Sequence, residues 1–361
     1  MNWKNVVLAS ALVACFAAGA SAQSLNVGDD APALTLSKTV KGEKIEKLEP
    51  DQTYVVEFWA TWCGPCIANV PHLTELQHKY KDKGVKFLGV SIWEGEPAKV
   101  EPFVAKMGDQ MDYTVAMDDL SDKKEGSKGK MADAWMTASE SDGIPTSFIV
   151  RNGKVAWIGH PYYMEKHLVA ALTTDFDLKA AADRAREDRS ARKTYVETMA
   201  KIKELGPDAD PKARLALIEK AIGSNPASEK RLGVEKYLIL SGAGDAEASA
   251  YGNRLVASIV SDREQDLNMI AWANVDPESK LDKARRDIPL ALKAAIKANE
   301  LAEGKNGPIL DTLAVATFES GDIKRGLELE EKADKLMGES NDDIKGRIEQ
   351  YRKAIEAKAK P

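Results

Sequence analysis

The chain has 361 residues, with 51 Lys and Arg against 57 Asp and Glu, for a formal net charge of −6 at pH 7. Acids and bases are mixed along it, which gives no argument for nucleic acid or an anionic membrane as a partner. The length is ample to bury cores without covalent staples and sets a prior of two domains, while four scattered histidines give little reason to expect a metal.

The first residues carry one base, Lys4, then an apolar run over 6–18, then Ala20-Ser21-Ala22 before Gln23. This pattern predicts a signal peptide, residues 1–22, cleaved after Ala22. Leu12-Val13-Ala14-Cys15 offers a competing lipoprotein reading in which Cys15 would carry the lipid, but the small and apolar run continues to the second cleavage site. No later stretch approaches the roughly 20 apolar residues of a membrane span. Export predicts a periplasmic or cell-envelope protein, in a compartment where disulfides persist.

From 23 to 175 the apolar period changes repeatedly, as alternating strands and helices do. Residues 54–59 read as a strand. Ile67, Val70, Leu73, Leu76 and Tyr80 then recur at helical spacing. A strand over 85–92, a helix over 100–107, a strand over 113–117 and a short helix over 131–137 follow. Strands over 146–150 and 155–158 flank Asn152-Gly153, a strong hairpin signal, and a helix over 165–172 closes the domain. This order implies an α/β fold, a central mixed sheet covered by helices. Residues 118–130 are polar and predict a solvated surface loop.

Beyond 175 Ala, Leu, Glu, Lys and Arg at helical spacing dominate, which predicts a second, all-α domain. A charged helix over 178–205 serves as connector within 176–206, and Gly206-Pro207 ends it. The all-helical domain spans 207–361, beginning with the cap Asp210-Pro211. Residues 307–338 resemble a tetratricopeptide repeat, with Leu310, Leu313, Ala314 and Ala333 in place. Thr317 stands where that family carries tyrosine, Gly326 replaces a small side chain, and earlier helices do not fall on a 34-residue period. A stack of helical hairpins is expected.

The chemistry gathers at Cys63-Gly64-Pro65-Cys66, where a predicted strand meets a predicted helix. Disulfide exchange needs an attacking thiolate and a second thiol to resolve the mixed disulfide. Two cysteines three residues apart on a first helical turn meet that need. At the helix N-terminus Cys63 faces unpaired N–H groups, which lower a thiol's pKa, whereas Cys66 lies one turn inside and should be shielded. Cys63 is therefore expected to attack and Cys66 to resolve. A zinc site combining Cys63, Cys66, His72 and His78 fails on geometry, because six helical residues turn about 600° and leave the imidazoles roughly 120° apart.

Phe58-Trp59-Ala60-Thr61-Trp62-Cys63-Gly64-Pro65-Cys66 resembles the thioredoxin active site. Pro71 matches that family's helix kink, Gly143-Ile144-Pro145-Thr146 its cis-proline loop, and Asn152-Gly153 and Gly159 its hairpin and site glycine. Val27-Gly28-Asp29-Asp30-Ala31-Pro32 and the extra elements before Pro145 are similar to the TlpA/ResA branch of exported thiol:disulfide oxidoreductases. The resemblance, over 24–174, implies a thioredoxin-like fold and a cis Pro145. It also implies that Ile144 offers backbone hydrogen bonds to an incoming peptide. Cysteine-containing client proteins are the implied partners, a membrane thiol carrier the implied electron donor, and no cofactor is implied.

Glu57 occupies the position of the thioredoxin buried acid, where a raised pKa would let it relay a proton to or from Cys66; a half-exposed Glu paired with lysine is the plainer alternative. Trp62, with Gly64 and Pro65, is expected at the docking surface and Trp59 in the core. Gly-Pro between the cysteines resembles the reducing thioredoxins, which favours a reductase. Two other readings are a peroxiredoxin-like peroxidase, opposed by the absence of threonine three residues before either cysteine, and a non-catalytic scaffold whose helical domain recruits a partner.

Overall fold

The structure, a computed structural model, describes residues 24–121, 126–279, 281–338 and 341–359. The expected leader and Cys15 lie outside the described residues. The chain divides into two compact units, Met1–Arg186 and Glu187–Pro361.

Six strands of the first unit, β1 (Leu36–Lys41), β2 (Thr53–Trp59), β3 (Val85–Ser91), β4 (Thr114–Asp118), β5 (Thr146–Arg151) and β6 (Lys154–Gly159), pair in the order β1-β4-β3-β2-β5-β6. β2 runs parallel to β3 and antiparallel to β5, and β3 runs parallel to β4. All seven residues of β2 are buried, as a central strand covered on both faces must be. Val55, Trp59, Phe87, Val115 and Ile149 pack beneath helices α1 (Gly64–Tyr80), α2 (Val100–Met107) and α3 (Met164–Leu172) through Val70, Leu73, Val104 and Leu168. Tyr54, Val56, Phe58, Leu88 and Phe148 point the other way, onto Trp135, Met136 and the first turns of α4 (Leu178–Glu204). This is the mixed, helix-covered sheet that the sequence predicts.

Two features depart from the expected elements. β1 is an additional antiparallel edge strand, half-buried and with two irregularities of register. Its sequence, Leu-Ser-Lys-Thr-Val-Lys, lacks the clean alternation of an exposed-face strand, and lysines on an edge discourage further pairing. The polar loop is also tied down at both ends. Asp118, buried, accepts the N–H groups of Met131 and Ala132 at 2.7 and 3.0 Å, and Lys130 pairs with Asp119 at 2.7 Å. The helix over 131–137 forms as a π-helical turn, Ala132–Thr137, that buries Trp135 edge-on against Phe148.

The second unit continues through α5 (Pro211–Ser224), α6 (Glu229–Ala243), α7 (Ala248–Arg254), α8 (Glu264–Val275), α9 (Ile288–Leu301), α10 (Gly307–Glu319), α11 (Ile323–Leu336) and α12 (Asp342–Ala359). Asp210, Asp287 and Asn306 cap helices whose first turn carries proline, a pairing in which the missing proline N–H costs nothing. The expected hairpin over 307–338 is α10 and α11. They approach so closely at Gly326 that an added Cβ would lie 3.0 Å from the Phe318 Cβ. Phe318 stacks on Tyr351 of α12 at 3.9 Å.

A charged triad binds α12 to this hairpin: Arg347 donates to Glu330 at 2.7 Å and also to Asp311. Glu330 is fully buried, and burial, with Asp311 beside it, raises its pKa while Arg347 opposes the rise. Removing the one cation strands two carboxyl groups in the interior. Arg347→Met should therefore cost about 3–5 kcal/mol, read as a lower urea midpoint of the helical circular dichroism. Glu330→Gln, which keeps an acceptor for Arg347, should cost less than half of that.

Candidate active site

Strand β2 carries the chain to the end of the sheet, and a tight turn redirects it: the Cys63 N–H donates to the Ala60 carbonyl at 3.1 Å. Cys63 then caps α1 in extended conformation, its sulfur accepting the Cys66 N–H at 3.2 Å. Pro65 sits in the first turn, where no N–H partner is needed. Cys63 and Cys66 form a disulfide with Cα atoms 5.2 Å apart. Their exposures are 4% and 2%, so the oxidised pair does not display the expected difference in shielding. What distinguishes the sulfurs is position, one at the helix cap among N–H donors and one a turn inside it.

The Ile144–Pro145 peptide is cis, and Phe58 of β2 pairs with Thr146 of β5 immediately beyond it. That register sets the proline loop beside the cysteines, with the Ile144 carbonyl oxygen 3.7 Å from the Cys63 sulfur. Thr146 Oγ1 donates to the Gly143 carbonyl at 2.7 Å and braces the loop. Pro145 is buried and Ile144 half-buried, whereas Gly64 and Pro65 are exposed. Trp59 is core; Trp62 is 59% exposed, and its indole N–H donates to the Trp93 carbonyl at 3.0 Å. Pro71 lies inside α1, where it cannot donate to the Ile67 carbonyl. His78 pairs with Asp112 at 2.7 Å.

Glu57 is buried, 3% exposed, on the sheet face it shares with Val55 and Trp59, the face packed against Cys66. Burial pushes its pKa up to about 8, against a hydrogen bond from the Ser147 hydroxyl that favours the charged form. The lysine-paired alternative is thus not what the strand presents. Glu57 pairs in register with Gly89. A Cβ at Gly89 would lie 2.9 Å from the Tyr113 ring, so only glycine lets that ring close over the strand. Burial and the neighbouring Glu57 raise the Tyr113 phenol.

Ser147 and the segment after β3 also belong to this site, with no motif in the sequence to mark them. Glu94 Oε1 accepts the Thr61 N–H and the Ser91 hydroxyl, each at 2.7 Å, and its Oε2 accepts the Thr61 hydroxyl at 2.7 Å. The run Trp93-Glu94-Gly95-Glu96 has no periodicity and reads as a solvated turn. Its only sequence signal is position, at the end of a strand parallel to the one that carries the cysteines.

The redoxin family model matches residues 26–172. Protein FixW of Rhizobium leguminosarum is 27% identical over 216 residues, 57% of this chain and 95% of FixW. Thiol-disulfide oxidoreductase ResA of Bacillus thuringiensis strain Al Hakam is 31% identical over 138 residues, 38% of this chain and 70% of ResA. Among solved structures, a thiol:disulfide interchange protein of the thioredoxin family from Chlorobium tepidum TLS is 25% identical. The match covers 40% of this chain and 97% of that one, with a TM-score of 0.33.

The Glu57 shift carries a sign. Between the ordinary carboxyl value of 4.5 and about 8, the native state holds a proton that the unfolded chain has released. Stability contributed by this group is therefore present below 4.5 and lost as pH rises to about 8. Glu57→Gln removes that loss. The variant's stability relative to the parent should rise from pH 5 to 8 by up to about 1.4 kcal/mol per pH unit, measured by urea unfolding of the oxidised proteins. Parallel profiles would contradict a protonated Glu57.

Proposed function

This chain belongs to the family of thioredoxin-fold thiol-disulfide oxidoreductases that includes ResA, and on that footing we propose that it reduces disulfides of client proteins outside the cytoplasm. The observation that carries the proposal is the Cys63–Cys66 disulfide at the N-terminus of α1 beside the cis-proline loop. In the reduced enzyme the Cys63 thiolate, stabilised by the Cys66 N–H and the helix terminus, attacks one sulfur of the client disulfide. The client's other sulfur leaves as thiolate and takes a proton. Cys66, its proton passing to Glu57 in the ionised form that a group of pKa about 8 partly populates near neutrality, then attacks the Cys63 sulfur, and the second client sulfur leaves as thiolate as Cys63 and Cys66 close their disulfide. Two electrons have moved to the client.

A buried acid holding its proton near neutrality suits this relay, since a group of pKa about 8 both gives and takes a proton there. The exposed Trp62, Gly64 and Pro65, with Ile144 beside them, form the client-docking surface, on which an extended client segment pairs with the Ile144 backbone. The return to the dithiol needs an external dithiol donor, which we assign to a membrane thiol carrier. The leader pattern over 1–22 supports an extracytoplasmic site of action. Among the described residues no helix is long and apolar enough to cross a membrane. The helical unit, with its tetratricopeptide-like hairpin α10–α11, is assigned client selection.

Purified mature protein should accelerate insulin reduction by dithiothreitol, and Cys63→Ser should return the rate to that of dithiothreitol alone. Equal rates for parent and variant would remove the redox reading. Cys66→Ser should accumulate a mixed disulfide through Cys63 that dithiothreitol releases. Direction is read from equilibration with glutathione buffers. A reductase calls for a potential nearer the roughly −270 mV of thioredoxin than the roughly −120 mV of a strong oxidant. Glu57→Gln should slow client reduction, with the rate's dependence on pH between 6 and 9 flattened; an unchanged profile would take Glu57 out of the relay.

A further inference from the structure

The turn that presents Cys63 is held from outside by the segment leaving β3. The Ile92 N–H donates to the Trp59 carbonyl at 2.9 Å. Thr61 gives both its N–H and its hydroxyl to the Glu94 carboxylate, and the Trp62 indole gives its N–H to the Trp93 carbonyl at 3.0 Å. Ser91, itself buried at the end of β3, donates its hydroxyl to the oxygen that also accepts the Thr61 N–H. Trp93 has φ of 55°, a left-handed conformation uncommon for a bulky residue. Strained backbone of this kind persists where surrounding structure demands it. Thr61 and Trp62 are the two central residues of the turn closed by the Cys63 N–H and the Ala60 carbonyl, so both are anchored one step before the sulfur.

Resting on the reading of Cys63 as the attacking thiol, we propose that Glu94 is a positioning residue that holds Cys63 at the helix cap in the reduced enzyme. While the disulfide is closed, Cys66 restrains Cys63 covalently. Once it opens, that restraint is gone, and the turn depends on its hydrogen bonds. A thiolate is stabilised at a helix terminus only while it stays among the N–H donors. A slack turn lets the sulfur drift from the Cys66 N–H and raises its proton affinity. The geometry and the charge of Glu94 act in opposite senses here, because a negative group alone would disfavour a nearby thiolate.

That opposition makes the test decisive. In the reduced full chain, the rate of iodoacetamide alkylation is followed from pH 5 to 9 and the labelled cysteine identified by mass spectrometry. Glu94→Ala should move the Cys63 titration upward, with about tenfold slower labelling below the parent midpoint, one pH unit being tenfold in thiolate. Glu94→Gln keeps an oxygen for the Thr61 N–H and should stay within about threefold of the parent, the sense being rescue. Thr61→Val, which loses only the hydroxyl bond, should fall between them and carries the test if Glu94→Ala does not fold. A titration that moves downward in both Glu94 variants, or that ignores Glu94→Ala and Thr61→Val, overturns the positioning role. First labelling at Cys66 in the parent overturns instead the assignment of the attacking sulfur.

Discussion

The pairing of β2 between β3 and β5 is the constraint from which the site follows. Its parallel partner brings Ser91 and Glu94 to the same end of the sheet as Trp59, and its antiparallel partner begins at Thr146, one residue beyond the cis-proline. A slip of one residue would turn Glu57 to the opposite face and carry Tyr54, Val56 and Phe58 with it, because side chains alternate strictly along a strand. Burial on both faces forbids that slip. The cysteines, the proline loop and the buried acid therefore meet through the backbone pairing and apolar packing of the strands that carry them.

Two carboxyl groups in this unit are used in contrasting ways. Glu57 is shut into an apolar layer with a single hydroxyl for company, and holding a proton is the cheaper state there. Glu94 lies half-buried with three donors around its two oxygens, an arrangement suited to an acceptor that stays put. The first stays protonated into the neutral range, and the second is tied to three donors on two segments of the chain. Both acids depend on the β2–β3 pair: Glu57 lies on β2, and Glu94 lies in the segment that leaves β3.

Much of this was legible in the order of residues. Strand β2 and helix α1 declare themselves through an apolar run followed by a three-to-four spacing, and the turn Asn152-Gly153 announces the β5–β6 hairpin. The cysteine spacing, Pro71 and Ile144-Pro145 pointed to the site together. Strand β1 escaped because its apolar residues are sparse and its stability comes from an existing neighbour, β4, rather than from its own pattern. Ser147 was hidden among the apolar residues of β5, since a buried hydroxyl has no periodic signature. Glu94 was unreadable for a different reason: an acid in a charged turn is ordinarily solvated, and only folding brings Thr61 to it.

The bonds between Thr61 and Glu94 span a separation of 33 residues and have value only in combination. A threonine hydroxyl without the acid is an idle polar group, and the acid without its donors is an uncompensated charge beside the turn that carries Cys63. Inheritance should feel this. Across descendants of this lineage the two positions are expected to be kept or exchanged as a set, leaving a correlated mark in sequence that neither residue would leave by itself.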